Sequence, residues 1–174
     1  MSRFDEIDEA RAGVTRTSRY RLTLRKSRAL LPALSSFIPA ECFKVGQSVG
    51  GLSIIYVGEE LRAAMAGLSE KELPAVEYQS LDIHRSSTDT ELAGAIGHAS
   101  RLQSSFARAY QLMELSSTEP ACIAPIATNW VYVVANQPKL TPLLFWRSRG
   151  GWMISAATFD EGLRTGVLHL PPGS

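Results

Sequence analysis

Along this chain the spacing of hydrophobic and polar positions changes several times, and each change predicts an element. Tyr20, Leu22 and Leu24 alternate with Arg21, Thr23 and Arg25, the period-two pattern of a half-buried strand with cations on its other face. Residues 29–34, rich in Ala and Leu, predict a short helical segment interrupted by Pro32, and Pro39 closes the next piece. After Gly50 and Gly51 the run LSIIYVG is short, apolar and β-branched, as a buried strand ending at Gly58 requires. Residues 59–68 then open with two acids, continue in good helix formers and carry Gly67 near the end, which predicts a helix. The segment AVEYQSLDI, around Val76, Tyr78 and Leu81, predicts another strand that stops near Arg85.

Thr88 and Glu91 stand at the Thr-x-x-Glu spacing of a capping box, so a helix starts there. Leu92, Ile96, Ala99, Leu102, Phe106, Tyr110 and Met113 recur at steps of three and four, predicting one long helix to about Leu115 with a single apolar stripe. Beyond Ser116-Ser117-Thr118 the pattern turns to β, with strands expected at 130–135, 143–146 and 152–159 and a turn at Ser148-Arg149-Gly150-Gly151. The expected fold is α+β: a mixed sheet with a long central helix and a C-terminal antiparallel meander. It forms a single domain over residues 19–174, preceded by a polar arm, residues 1–18.

With 174 residues, 45% of them hydrophobic and 20% charged, the chain has the composition of one globular domain rather than of a disordered segment. The longest uncharged stretch, residues 120–138, includes Pro125, Thr128 and Asn129. It lacks the roughly 20 consecutive apolar residues of a membrane span and reads as a buried strand with its flanks. Acids near the N-terminus, where an export signal would carry basic residues, lead us to expect a cytoplasmic protein. Cys42 and Cys122 form no CxxC pair and have no neighbouring His, so both are expected as reduced core thiols and no metal site is assigned.

The net charge of +1 conceals an uneven distribution. Residues 11–28 hold seven basic side chains and no acid, directly after an acidic patch of Asp5, Glu6, Asp8 and Glu9 that could pair with them. Arg16, Arg19, Arg21, Arg25, Lys26 and Arg28 are therefore candidate contacts to a nucleic-acid backbone, with Tyr20 as a stacking surface. The face of the long helix opposite its stripe carries Gly94, His98, Arg101, Ser105 and Arg108. On it, Arg101 could hold a phosphate and His98 transfer a proton, although the pattern favours a solvated face. Asp82, His84, Arg85 and Asp89 cluster ahead of the helix N-terminus, where anions are favoured; simple solvation is the alternative there too. Gly46-Gln47-Ser48-Val49-Gly50-Gly51 lacks the features of a phosphate-binding loop and reads as a loop or hairpin. No nucleophile elbow or metalloprotease motif occurs.

The segment VEYQSLDIHRSSTDTELAGAIGHASRLQ resembles the opening of ParB/sulfiredoxin-like domains, in which a strand ends in an arginine and a helix of ELAxSI type follows. On that comparison Arg85 occupies the strand-end arginine, and Glu91-Leu92-Ala93 with Ile96 occupy the helix start. The family's GxHR or GERR element is absent in that form. Gly97-His98-Ala99-Ser100-Arg101 has its residue types with a longer gap. The resemblance implies nucleotide or DNA handling, since the family includes plasmid partition proteins, nucleases, nucleotide-hydrolysing members and a plasmid fertility-inhibition factor. The first expectation is accordingly a DNA- or nucleotide-acting protein of a mobile element. If it is an enzyme, it is a phosphodiester or nucleotide hydrolase using Arg85, Asp89, His98 and Arg101, with the cofactor left open between ATP and Mg2+. The alternative is a non-catalytic inhibitor or immunity-type module that binds a protein partner, for which Trp130, Trp146 and Trp152 are candidate anchors if exposed.

Overall fold

The computed structural model describes residues 21–26, 28–46, 48–49, 52–118, 127–135 and 139–173. The polar arm, Arg16, Arg19 and Cys122 lie outside the described residues. One mixed sheet organises the rest. Its strands are β1 (Leu22–Leu24), β2 (Ala29–Leu31), β3 (Ser48–Val49), β4 (Leu52–Val57), β5 (Val76–Ser87), β6 (Gln103–Ser104), β7 (Asn129–Val134), β8 (Leu140–Ser148), β9 (Gly151–Ala156) and β10 (Arg164–Leu170). The order across the sheet is β1-β5-β10-β7-β8-β9-β4-β3, with β2 also on β5 and β6 also on β7. The helices are α1 (Pro39–Cys42), α2 (Glu59–Met65), α3 (Asp89–Ile96) and α4 (Phe106–Thr118). None of the described helices is long and apolar enough to cross a membrane.

The sheet is buried on both faces, and β7 shows why. In NWVYVV successive side chains point to opposite faces, so Val131 and Val133 enter one core while Trp130 and Tyr132 enter the other. The first core gathers Phe37, Phe43, Leu61 and Met65 with Phe106, Tyr110 and Met113 of α4. The second packs Leu92 and Ile96 of α3, with Leu102, on Leu22, Leu81, Ile83 and Leu168.

This division explains the main departure from the sequence reading. The expected helix from Thr88 to Leu115 is two helices on opposite faces. α3 ends at Gly97, whose φ of +113° no other residue type adopts cheaply. A 3₁₀ turn (Ala99–Leu102) and the two residues of β6, paired in parallel with Tyr132 and Val133, then carry the chain to the other face. Leu92, Ile96 and Leu102 serve the second core, and Phe106, Tyr110 and Met113 the first. Their three- and four-residue spacing survives the break, so periodicity alone does not reveal it.

Two smaller readings change as well. Residues 29–31 form a strand, not a helix, because pairing with Val76 to Tyr78 overrides the modest helix preference of Ala and Leu. The meander holds for β7, β8 and β9, whose pairs are antiparallel. The unexpected strand β10 leaves it to lie between β5, antiparallel, and β7, parallel. Within the glycine-containing segment before β4, Ser48 and Val49 pair antiparallel with Ser53 and Leu52, while Gln47, Gly50 and Gly51 lie outside the described residues. Capping of α3 matches the sequence: Thr88 Oγ1 accepts from the Glu91 amide, and Glu91 accepts from the Thr88 amide.

β10 fits between its neighbours only because of Gly166. Its φ is +102°, and a Cβ there would lie 2.1 Å from the Thr128 carbonyl oxygen. Gly166→Ala is therefore expected to destabilise the fold by at least about 2 kcal/mol, from strain plus backbone displacement, read as a lower urea midpoint with an unchanged slope.

Candidate functional site

Arg85, Asp89, His98 and Arg101 all lie among the described residues. Asp89 is fully buried at the first turn of α3. Its Oδ1 accepts from Arg164 Nε at 2.9 Å and from the Tyr132 hydroxyl; its Oδ2 accepts from Arg164 Nη2 at 2.9 Å and the Asp160 amide at 2.7 Å. A carboxylate with four donors and no water access is an organising anion rather than a general base. Burial, followed by the Asp89 charge, pushes the Tyr132 phenol well above its ordinary range, so it stays a donor. The Arg164 guanidinium also stands 4.8 Å over the Trp130 ring and donates to the Thr158 carbonyl. Asp160, at φ +62°, accepts from the amide and hydroxyl of Thr90, tying the β9–β10 loop to α3.

His98 and Arg101 do not share a helix face. His98 caps the 3₁₀ turn through Nδ1, which accepts from the Ser100 amide at 3.1 Å, and Arg101 lies in that turn. Arg85 is exposed near the end of β5. Arg108, read as part of the same polar face, is instead buried and donates to the carbonyls of Pro32 and Pro74 and to Gln111. The three cavities described below are lined by none of Arg85, Asp89, His98 and Arg101.

Of the basic run, Arg21, Arg25 and Arg28 each face a carboxylate. The partners are Glu91 at 3.0 Å, Asp82 at 3.7 Å and Glu77 at 3.3 Å. Pairing within the chain was one of the two sequence expectations, but these acids come from α3 and β5 rather than from residues 5–9. Lys26 follows Arg25 in the connection between β1 and β2.

A second polar group in the sheet had no counterpart in the sequence reading. Ser80, His169 and Asn129 lie side by side on β5, β10 and β7. Ser80 Oγ is 2.7 Å from His169 Nδ1, and His169 Nε2 is 2.9 Å from Asn129 Oδ1. Asn129 Nδ2 faces the carbonyls of Ala127 and Phe145, so its oxygen points to the ring. The neutral imidazole therefore donates through Nε2 and accepts the Ser80 hydroxyl at Nδ1. These are the residue types of a nucleophile relay, but all three side chains are sealed inside the sheet and His169 stacks on Phe145, so no substrate reaches them. The visible signal in sequence is a lone His within the apolar run VLHL.

Accessible features lie elsewhere. A cavity of about 380 Å³ opens between α1 and α2, lined by Phe43, Val45, Val57 and Met65 with Lys44 and Arg62 at its rim. Another, of about 410 Å³, lies between α2 and the ends of β8 and β9, lined by alanines with Glu60 and Lys139. A third, of about 510 Å³, lies at the end of β5. Among the described residues no three His, Cys, Asp or Glu side chains group as a metal site. No family model matches the chain, and no curated protein or solved structure matches it at a significant level.

Breaking the buried pair tests its role. Asp89→Ala leaves Arg164 charged and uncompensated and is expected to cost about 3–5 kcal/mol of stability, measured by urea denaturation. His169 tests the other network. Burial, with a smaller effect from Arg25, pushes its pKa from 6.5 down to about 3. The unfolded chain takes up the ring proton first. The stability contributed by the neutral ring is therefore complete above pH 6.5 and is lost as pH falls from 6.5 toward 3. His169→Gln is expected to flatten that part of the stability profile, and an unchanged slope would count against the assignment.

Proposed function

We propose that this protein is a non-catalytic binding module of the inhibitor or immunity type, and that the groove between α1 and α2 receives its protein partner. One observation carries the reading. Of the seven large apolar side chains exposed among the described residues, Val45, 54% exposed, stands in the wall of this groove, with Phe43, Val57 and Met65 beside it in the lining. An apolar hollow with an exposed aliphatic side chain in its wall is a surface that association covers. Lys44 and Arg62 line it and no acid does, so the complementary partner segment has an apolar anchor flanked by carboxylates. Two of the tryptophans considered as anchors, Trp130 and Trp152, are buried in the cores, and Trp146 is only partly exposed.

The DNA- or nucleotide-acting reading stands second. It rests on the resemblance and the basic run, and it requires Arg21, Arg25 and Arg28 to exchange their carboxylates for phosphates. Hydrolysis by Arg85, His98 and Arg101 with ATP or Mg2+ belongs to the same reading.

A peptide-display selection on the whole protein tests the first reading. The selected sequences are expected to pair an aliphatic or aromatic residue with Asp or Glu. Val45→Asp and Arg62→Glu are each expected to weaken them about tenfold or more, on the order of 1.4 kcal/mol, with unfolding temperature unchanged. Selected peptides indifferent to both substitutions would remove the groove from consideration. DNA binding that falls steeply with salt, measured in parallel, would promote the second reading.

A further inference from the structure

A segment with the chemistry that the α1–α2 groove calls for, an apolar anchor flanked by carboxylates, is present in this chain. Phe4 is followed by Asp5 and Glu6, and Ile7 by Asp8 and Glu9, so two large apolar residues stand three positions apart with two acids after each. The groove offers the counterpart. Phe43, Val45, Val57 and Met65 supply apolar wall, and Lys44 and Arg62 are the charged residues of the lining. Glu41, Glu59 and Glu60 belong to the same two helices but stand outside it. Among the described residues neither Lys44 nor Arg62 forms an ion pair, whereas Arg21, Arg25 and Arg164 each face a carboxylate. The acids that meet Arg21 and Arg25 are Glu91 and Asp82, so these two arginines do not depend on residues 5–9.

We propose that residues 4–9 occupy the α1–α2 groove of the same molecule, with Phe4 and Ile7 against its apolar wall and the neighbouring acids against Lys44 and Arg62. The inference rests on reading the groove as a partner site, and it makes that site self-occluded. Length permits it. The stretch from residue 4 to residue 21 spans at most about 55 Å when fully extended, more than the roughly 40 Å width of a compact domain of this size. Weak contacts suffice, because a segment carried on the same chain has an effective concentration on the order of 1 mM. A dissociation constant of about 0.1 mM for the segment then fills roughly nine-tenths of the grooves and weakens an external ligand about tenfold. A protein partner therefore binds by displacing the chain's own acidic segment.

The test compares the full chain with its Phe4→Ser/Ile7→Ser variant by amide NMR and by peptide titration. The amides of Val45, Val57 and Arg62 are expected to differ between the two proteins, to the same extent at every protein concentration. A synthetic peptide of residues 1–10 is expected to bind the variant saturably, returning those amides toward their positions in the unsubstituted chain, and to bind the unsubstituted chain at least tenfold more weakly. Adding Arg62→Glu to the variant is expected to abolish that binding. Should the variant fail to fold, Asp5→Asn/Glu6→Gln/Asp8→Asn/Glu9→Gln is expected to open the groove to display-selected peptides by the same factor. Three results would overturn the proposal. Groove amides unchanged by the substitutions would place the segment elsewhere, and differences that grow with protein concentration would place it in the groove of a second copy. Display-selected peptides that bind the groove equally well in both proteins would leave the groove a partner site and remove only its proposed occupant. Peptides that miss the groove in both would remove the two readings together.

Discussion

Asp89 and Arg164 meet out of contact with water, and the placement of three separate elements follows from that contact. Arg164 begins β10, Asp89 begins α3, and the Asp160 amide and Thr158 carbonyl close the loop between β9 and β10 on the same pair. An unsatisfied charge in this position would be costly, and every polar atom of the pair that the geometry exposes to the interior has a partner. The ring of Trp130 beneath the guanidinium and the hydroxyl of Tyr132 on the carboxylate link the pair to the central strand β7. Helix position, loop conformation and the register of the central strands are thus set together.

The opposite face follows the same logic with neutral groups. Ser80, His169 and Asn129 join β5, β10 and β7 by hydrogen bonds where the packing of apolar side chains alone would fix position less exactingly. Glu70 does related work for α4. Its carboxylate accepts from the amides of Phe106 and Ala107, the free donors of the helix start, and burial holds its pKa above the ordinary value against their pull. Polar groups inside this fold position backbone, while the hollows between α1 and α2 and beside β8 and β9 are lined by apolar side chains with a few charges. That distribution supports the proposal that the protein is a binder.

Much of the fold was legible in the sequence, and the successes share a cause. The strand at 52–57, the helix after Gly58, the capping box at Thr88 and the three strands of the meander are all dictated by neighbours within a few residues. The failures are non-local. Ala29, Leu30 and Leu31 became strand because β5 offered them partners, and the helix predicted through Gly97 split because its two halves answer to different faces of one sheet. Gly97 was the available sign, since glycine at a helix end supplies the left-handed residue that terminates it.

The site was less legible than the fold. Residue types alone established that the chain carries arginines next to strands, a capped helix after β5 and a histidine inside an apolar run, because each is a property of adjacent positions. Which charges are spent inside the fold was decided only by tertiary structure. Asp89 and Arg164 are 75 positions apart, as the Arg28–Glu77 pair is 49 and the Ser80–His169 pair 89, and no local pattern couples residues so distant. Strand order brings them together, and strand order comes from how two cores share one sheet.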